Sequence, residues 1–161
     1  MYKELLSLSK QLGEILRSKN LKLALAESCT GGLAAEYITA LPCSSAWFDC
    51  AFITYSNQSK ERMLGVPAET LEKFGAVSEQ TAIAMVKGAL NNSQADIVAS
   101  ITGIAGPDGG SAEKPVGTVC FAWGGKDFVT TSSTQLLIGD RQIIRHQAAQ
   151  HLMVNLIKIL V

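Results

Sequence analysis

Histidine is scarce in the sequence, and the two histidines are not placed to share a metal ion. His146 and His151 lie five residues apart in a segment of helical periodicity, which separates them by about 140° around a helix. No carboxylate or cysteine cluster joins them, so we expect no metal site. The nucleotide-binding motifs GxGxxG and GxxxxGK[ST] are also missing, and we expect no cofactor.

The few cysteines and the balanced charge exclude other classes of protein. No two cysteines form a CxxC pair, and a chain of this length needs no disulfide, so we predict reduced, mostly buried thiols at Cys29, Cys43, Cys50 and Cys120. Lys and Arg together number 14, as do Asp and Glu, so the formal net charge is zero. We therefore expect neither nucleic acid nor a membrane as partner.

Long apolar runs are missing as well. The N-terminal residues include Lys3 and Glu4, and they are never apolar for long enough to form a signal peptide or a membrane span. We therefore expect a cytoplasmic protein. Hydrophobic residues make up 47% of the chain, which is enough for one sizeable core, and we expect a single domain over residues 1–161.

Helical and strand-like segments alternate along the chain. Helices are predicted at 2–18, 33–40, 58–64, 79–90 and from 140 onward, and strands at 22–27, 50–55, 96–102, 117–123 and 128–134. Residues 66–70 and 75–78 are expected to form turns. A short glycine-containing turn joins the last two strands, which should be antiparallel. This order predicts an α/β fold, a three-layer α/β/α sandwich with a mixed, mostly parallel sheet of about five strands.

Ser28 lies where the first predicted strand ends and a helix begins. The segment 22–27 is strand-like, Ser28, Cys29 and Thr30 are small and polar, and Gly31 and Gly32 lead into the helix. Ligands of open α/β sheets bind at the carboxyl ends of strands, where a helix N-terminus offers free N–H groups. The two glycines would let a substrate approach the backbone closely.

Two other strand ends are expected at the same edge of the sheet, because crossover helices make neighbouring strands parallel. Tyr55 ends the second strand and Lys60 follows it, while Thr102 leads into the glycine-rich loop 103–110. We expect one pocket to receive side chains and backbone from all three ends: Ser28, Thr30, Tyr55, Asn57, Lys60, Thr102 and the loop 103–110, which includes Gly103 and Gly106.

These residues supply a hydroxyl nucleophile, a lysine that could act as its base, a phenol and glycine N–H groups for an oxyanion. They match a Ser-Lys hydrolase without histidine. Lysine has a reference pKa of about 10.4, so a base role near neutral pH requires a pKa about three units lower, at a cost of roughly 4 kcal/mol. Burial or a nearby cation would have to supply that shift.

Each candidate also has a purely structural interpretation. Ser28 could be a helix N-cap, Tyr55 a packing aromatic and Lys60 a solvated surface residue, and the glycine loop could only turn the chain. Arg141 and Arg145 lie four residues apart on one helix face, either as a phosphate clamp or as surface cations. Cys29 offers a further alternative, a thiol enzyme whose thiolate is stabilised by the helix N-terminus.

Six segments taken together closely resemble the CinA C-terminal domain family. They run in order from about residue 22 to the last helix: Ala26–Gly32, Tyr55–Lys60, Gly75–Ser78, Thr102–Gly110, Lys114–Thr118 and Gly139–Arg141. Longer members carry a further N-terminal domain, and this chain is similar to the members without it. Six motifs in this order are far more specific than any one of them.

The resemblance implies hydrolysis of nicotinamide mononucleotide to nicotinate mononucleotide and ammonia, in pyridine-nucleotide salvage. It makes Ser28 the nucleophile, Lys60 the general base and Tyr55 its assistant, and it implies a homodimer or higher homo-oligomer. The residues expected to bind substrate are Thr30, Gly31, Gly32, Asn57, Thr102, Gly103, Gly106, Arg141 and Arg145. Either arginine could hold the phosphate. The alternative is a non-catalytic module that binds a phosphorylated metabolite through the same glycine turns.

Overall fold

The computed structural model describes residues 2–161. Its helices are α1 (Tyr2–Ser18), α2 (Leu33–Thr39), α3 (Asn57–Leu64), α4 (Ala68–Phe74), α5 (Glu79–Asn91) and α6 (Arg141–Leu160). Its strands are β1 (Leu23–Glu27), β2 (Phe48–Ile53), β3 (Ile97–Gly103), β4 (Thr118–Gly125) and β5 (Phe128–Leu136). Among the residues described, none of the helices combines the length and the apolar character that a membrane crossing requires.

The five strands form one mixed sheet in the order β2-β1-β3-β4-β5. β1 pairs in parallel with β2 and with β3, whereas β4 is antiparallel to both of its neighbours. Four strands therefore run in the same direction and β4 runs against them. The carboxyl ends of β1, β2 and β3 meet at one edge, because Glu27 lies beside Ile53 on one side and Ile101 on the other.

Helices cover both faces of the sheet, which confirms the predicted α/β/α sandwich. Strand side chains alternate between the two faces, so Leu23 and Leu25 belong to the core under α1, α2 and α6. Ala24 and Ala26 belong to the opposite core, together with residues of α3, α4 and α5. One face of the last helix is also buried, at Ile144, Ala148, Leu152, Leu156 and Leu160.

Helix α5 packs against the end of α3 with no space between the two backbones. Gly88 lies in the middle of α5, and a Cβ at that position would overlap the carbonyl oxygen of Leu64, the last residue of α3. A glycine there allows this approach, although glycine costs helix stability relative to alanine. Helix α3 is thereby held against α5.

Three expectations from the sequence were wrong in detail. Residues 66–70 were predicted to be a turn, but helix α4 begins at Ala68, directly after Pro67, whose fixed φ suits a helix start. The second strand begins and ends two residues earlier than predicted, so Tyr55 follows the strand instead of ending it. Cys29 and Cys120 are buried as expected, but Cys43 is exposed and Cys50 is only partly buried.

Candidate active site

The candidate active site is a cleft at the carboxyl ends of β1, β2 and β3. Strand pairing continues one residue beyond β1, because Ser28 N–H donates to the carbonyl of Ile101 at 2.9 Å and Thr54 N–H donates to that of Glu27 at 2.8 Å. The cleft has a volume of about 250 Å³. Its lining is Ser28, Cys29, Tyr55, Asn57, Lys60, Ala76, Val77, Thr102, Gly103, Ile104, Ala105, Gly106, Asp108, Gly109 and Arg141.

Ser28 and Lys60 are in direct contact on the floor of this cleft. Lys60 Nζ donates to Ser28 Oγ at 2.9 Å and to the carbonyl oxygen of Thr54 at 2.8 Å. The lysine is 1% exposed and the serine 7%. In the part of the chain described, no carboxylate forms an ion pair with Lys60. Burial lowers the pKa of the Lys60 ammonium from its usual value of about 10.5.

The start of helix α3 sets the position of Lys60. Ser56 is the N-cap and its hydroxyl accepts the N–H of Ser59, whose own side chain accepts the N–H of Ser56. This reciprocal capping box fixes the first turn of the helix. Lys60 follows directly, and its long side chain reaches back to the end of β2 and across to β1. Sequence reasoning identified the lysine but not the capping box that positions it.

Glu27 holds the Ser28 turn, residues 28–32, from beneath. Its carboxylate is fully buried and accepts four hydrogen bonds, from Thr30 Oγ1 at 2.6 Å and from the N–H groups of Gly32, Ala34 and Ala35 at 2.9–3.2 Å. The turn requires glycine at two positions, since Gly31 and Gly32 have φ of 59° and 97°. No sequence pattern indicates this role, because most of the partners of Glu27 are backbone groups.

The backbone N–H groups of the turn are unequally available. Gly31 N–H donates to the carbonyl of Ser28, and Gly32 N–H is taken by Glu27. Among residues 2–161, no acceptor takes up the N–H of Cys29 or of Thr30. Within the described residues of the turn, the N–H groups without an acceptor are therefore those of Cys29 and Thr30, and the role of the two glycines stays a prediction.

Two of the alternatives drawn from the sequence have no support in this geometry. The N-cap of α2 is Gly32, so Ser28 does not cap that helix and its hydroxyl contacts Lys60. Burial raises the pKa of the Cys29 thiol to about 12, against the lowering expected at a helix N-terminus. A buried thiol with this pKa is a poor nucleophile near neutral pH.

Arg141 and Tyr55 stand at the mouth of the cleft. Arg141 is the first residue of α6, after the N-cap Asp140, and it donates to Tyr55 Oη at 2.8 Å and to the carbonyl of Gly106 at 2.6 Å. Tyr55 is 60% exposed, and in the described chain it makes no hydrogen bond with Ser28 or Lys60. The guanidinium therefore links the loop after β2 to the glycine loop after β3.

The glycine loop 103–110 forms part of the wall of the cleft. Thr102 is buried, and its hydroxyl donates to the carbonyl of Ala76 at 2.7 Å, which joins the end of β3 to the segment before α5. Gly103 lies so close to β4 that a Cβ there would approach Thr118 O at 2.9 Å. The loop thus presents backbone to the cleft and few side chains.

The predicted site residues divide into two groups. Eight of the twelve line the cleft: Ser28, Tyr55, Asn57, Lys60, Thr102, Gly103, Gly106 and Arg141. The other four do not appear in its lining: Thr30, Gly31 and Gly32 belong to the Ser28 turn, and Arg145 of α6 contacts that turn. Arg145 donates through Nη2 to the carbonyl of Thr30 at 2.7 Å.

Two residues of the cleft wall, Ala76 and Val77, precede α5 and were not expected in the pocket. Asp108 lies in the loop 103–110, which was expected there, but its carboxylate was given no role. Ala76 and Val77 belong to the motif Gly75–Ser78, which was noticed for its resemblance and given no role. Within residues 2–161, no group of three or more His, Cys, Asp or Glu side chains is arranged to hold a metal ion.

Comparison with known proteins agrees with the motifs. The family model for the CinA C-terminal domain matches residues 5–160. A protein of Enterobacter agglomerans named nicotinamide-nucleotide amidohydrolase PncC is 52% identical over 147 residues, 91% of this chain and 90% of that protein. Its namesake from Escherichia coli K12 is 48% identical over 148 residues, 92% of this chain and 90% of that protein.

The fold has a close counterpart among solved structures. The competence/damage inducible protein CihA of Agrobacterium tumefaciens superposes with a TM-score of 0.94 at 41% sequence identity, covering 97% of this chain and 95% of that one. The sequence motifs, the family model and the superposition agree, and the chain belongs to the CinA C-terminal domain family.

Proposed function

We propose that this protein hydrolyses the carboxamide of nicotinamide mononucleotide to nicotinate mononucleotide and ammonia, in pyridine-nucleotide salvage. The observation that carries the proposal is the 2.9 Å contact between Ser28 Oγ and the Nζ of a buried lysine that has no carboxylate partner among residues 2–161. The names of the E. agglomerans and E. coli relatives supply the substrate. The expected homo-oligomer stays a prediction.

Lys60 acts as the general base in this proposal. Because its pKa is lowered by burial, a larger fraction of the amine is neutral than in water. The neutral amine donates one N–H to the carbonyl of Thr54 and turns its lone pair toward Ser28. Ser28 Oγ loses its proton to Nζ as it attacks the amide carbon, so the same contact transfers the proton in the direction of lysine.

The attack forms a tetrahedral intermediate with a negative charge on the former carbonyl oxygen. The N–H groups of Cys29 and Thr30 have no acceptor within the described chain and lie directly after the nucleophile, so we assign them to this oxyanion. Collapse of the intermediate breaks the C–N bond, and ammonia leaves with the proton from Lys60. Water then attacks the Ser28 ester in the same way and releases nicotinate mononucleotide.

Arg141 is the better of the two arginines for the phosphate. It lines the cleft and is exposed at its mouth, where it holds only neutral partners, the phenol of Tyr55 and the carbonyl of Gly106. Arg145 lies outside the lining and donates to the backbone of the Ser28 turn. A guanidinium with two neutral partners can exchange them for a phosphate, which accepts stronger, charge-assisted hydrogen bonds.

The first experiment measures ammonia release from nicotinamide mononucleotide, with nicotinamide riboside as a phosphate-free comparison and Ser28→Ala and Lys60→Ala as controls. We expect turnover that depends on the phosphate and is lost in both variants. If the folded protein binds the nucleotide and releases no ammonia, the enzyme proposal fails and a non-catalytic binding module takes its place.

A further inference from the structure

We infer that Glu27 is a positioning residue for the Ser28 nucleophile and that turnover depends on its carboxylate through the shape of the Ser28 turn. The inference rests on the proposed function, because it assigns Ser28 the attacking oxygen. Glu27 does not line the cleft and touches neither Ser28 Oγ nor Lys60 Nζ by a hydrogen bond in the described chain. Its effect on the reaction is therefore indirect.

The carboxylate of Glu27 stabilises one conformation of the turn by accepting hydrogen bonds from the turn itself and from the start of α2. Oε2 accepts from Thr30 Oγ1, Gly32 N and Ala34 N, and Oε1 accepts from Ala35 N. An acceptor with two oxygens is required, since four donors converge on one buried side chain. A buried donor without a partner is costly, so these bonds strongly favour one arrangement of the turn.

The same four bonds determine which N–H groups are left for chemistry. Gly32, Ala34 and Ala35 point their N–H groups inward to Glu27, while those of Cys29 and Thr30 have no acceptor within residues 2–161. Thr30 is bound to Glu27 through its side chain and to Arg145 through its carbonyl, so this residue is held at two points. Glu27 thereby positions both the nucleophile and the proposed oxyanion donors.

The key variant is Glu27→Gln, which keeps the size of the side chain and replaces one acceptor oxygen by an NH2 donor. In either orientation of the amide, at least one backbone N–H of α2 then faces another donor. We expect kcat for nicotinamide mononucleotide to fall by about 10- to 100-fold, because small displacements of a reacting group cost factors of this size. The KM should change by less than about threefold, since Arg141 and the glycine loop are untouched.

A second readout does not depend on the natural substrate. A small dialkyl phosphorofluoridate reacts with an activated serine, where a bond from Ser28 Oγ to phosphorus forms, the P–F bond breaks, fluoride leaves and Lys60 takes the serine proton. The rate of mass gain by the intact protein should fall in Glu27→Gln in proportion to kcat. Ser28→Ala should gain no mass.

Asp96→Asn is the matched control. Asp96 also accepts a backbone N–H, from Lys22 at 2.9 Å, but it lies at the opposite edge of the sheet, at the start of β3. The substitution makes the same change of charge and of acceptor, and it should leave kcat and the labelling rate unchanged. Thr30→Val is the second variant should Glu27→Gln fail to fold. It removes the 2.6 Å bond alone and should lower kcat, and the double variant should be no slower than Glu27→Gln.

The outcomes separate the inference from the function on which it rests. A wild type that is not labelled and releases no ammonia overturns the proposed function and the inference together. A labelled wild type with equal kcat and equal labelling in Glu27→Gln and Thr30→Val overturns the inference alone. A Glu27→Gln variant that only melts at a lower temperature, with kcat unchanged, gives Glu27 a purely structural role and also overturns it.

Discussion

Two segments meet at the cleft, and each contains or contacts a buried residue of a charged type. The two residues differ in how many hydrogen-bonding partners they have. Beneath the Ser28 turn, the buried carboxylate of Glu27 accepts hydrogen bonds from four donors. In the segment from Thr54 to Lys60, the lysine has one carbonyl and one hydroxyl as acceptors and no counter-ion among the described residues. The first arrangement satisfies the carboxylate of Glu27 and holds the backbone of the turn in place. The second makes a charge on Lys60 costly, which favours the neutral amine, a proton acceptor.

The two arginines of α6 follow the same division. Arg145 donates to the carbonyl of Thr30 and so contacts the Ser28 turn. Arg141 donates to Tyr55, in the segment that leads to Lys60, and to the glycine loop. One helix thus supplies a structural cation to the first segment and an accessible cation to the second. The following predictions test this division, beginning with the largest effect.

Lys60→Met should lower kcat by about a thousandfold, because the general base is lost. The variant should also melt a few degrees higher near neutral pH, because methionine fills the buried site without an ammonium to desolvate, and about 1 kcal/mol raises Tm by roughly 2–4 °C in a domain of this size. Ammonia release and thermal denaturation measure the two effects. A variant that is inactive and less stable would show that the charge of Lys60 is satisfied in the folded protein.

Arg141→Ala should raise the KM for nicotinamide mononucleotide by about 10- to 100-fold with a small change in kcat, because charge-assisted bonds to the phosphate are lost. Arg145→Ala should instead lower kcat, since it releases the carbonyl of Thr30. Steady-state kinetics of both variants make the comparison. The reverse pattern would place the phosphate at Arg145 and remove the distinction between the two arginines.

The value of kcat should rise about tenfold per pH unit and level off at a pKa below 10.5. The reason is that the neutral form of Lys60 is active and burial lowers its pKa. The free energy of unfolding should rise with pH above that pKa and up to about pH 10.5, where kcat has already levelled off, because in this window the unfolded chain keeps the Lys60 proton and the folded one does not. Lys60→Met should lose this contribution to the slope. A pH profile of kcat without a rising limb would contradict the base role.

Cys29→Ser should have the smallest effect, with kcat within about twofold of wild type. The thiol is buried, its pKa is raised to about 12, and the hydroxyl that contacts Lys60 belongs to Ser28. Serine retains the backbone N–H that we assign to the oxyanion. Ammonia release measures the effect, and loss of turnover with a normal melting temperature would restore the thiol alternative.

Sequence reasoning predicted the fold and the pairing of Ser28 with Lys60 because both follow from strand ends, which short apolar runs reveal well. It missed α4, whose seven residues follow a proline and show too few turns for a periodic pattern. It missed the role of Glu27 for a different reason. A strand-end glutamate gives no sign of whether its carboxylate faces solvent or the backbone N–H groups of residues five to eight positions later.

The close contact between Gly88 and the end of α3 has a consequence for how other members of the family are interpreted. Alanine at position 88 would push Leu64 away and tilt the helix that carries Lys60, while every motif around the cleft stayed intact. A relative with all six motifs and a larger residue there is expected to be inactive unless its α5 lies farther from α3 and leaves α3 in place. Inspection of the motifs alone would assign such a relative an activity that it lacks. The residue at position 88, outside the cleft, would identify it.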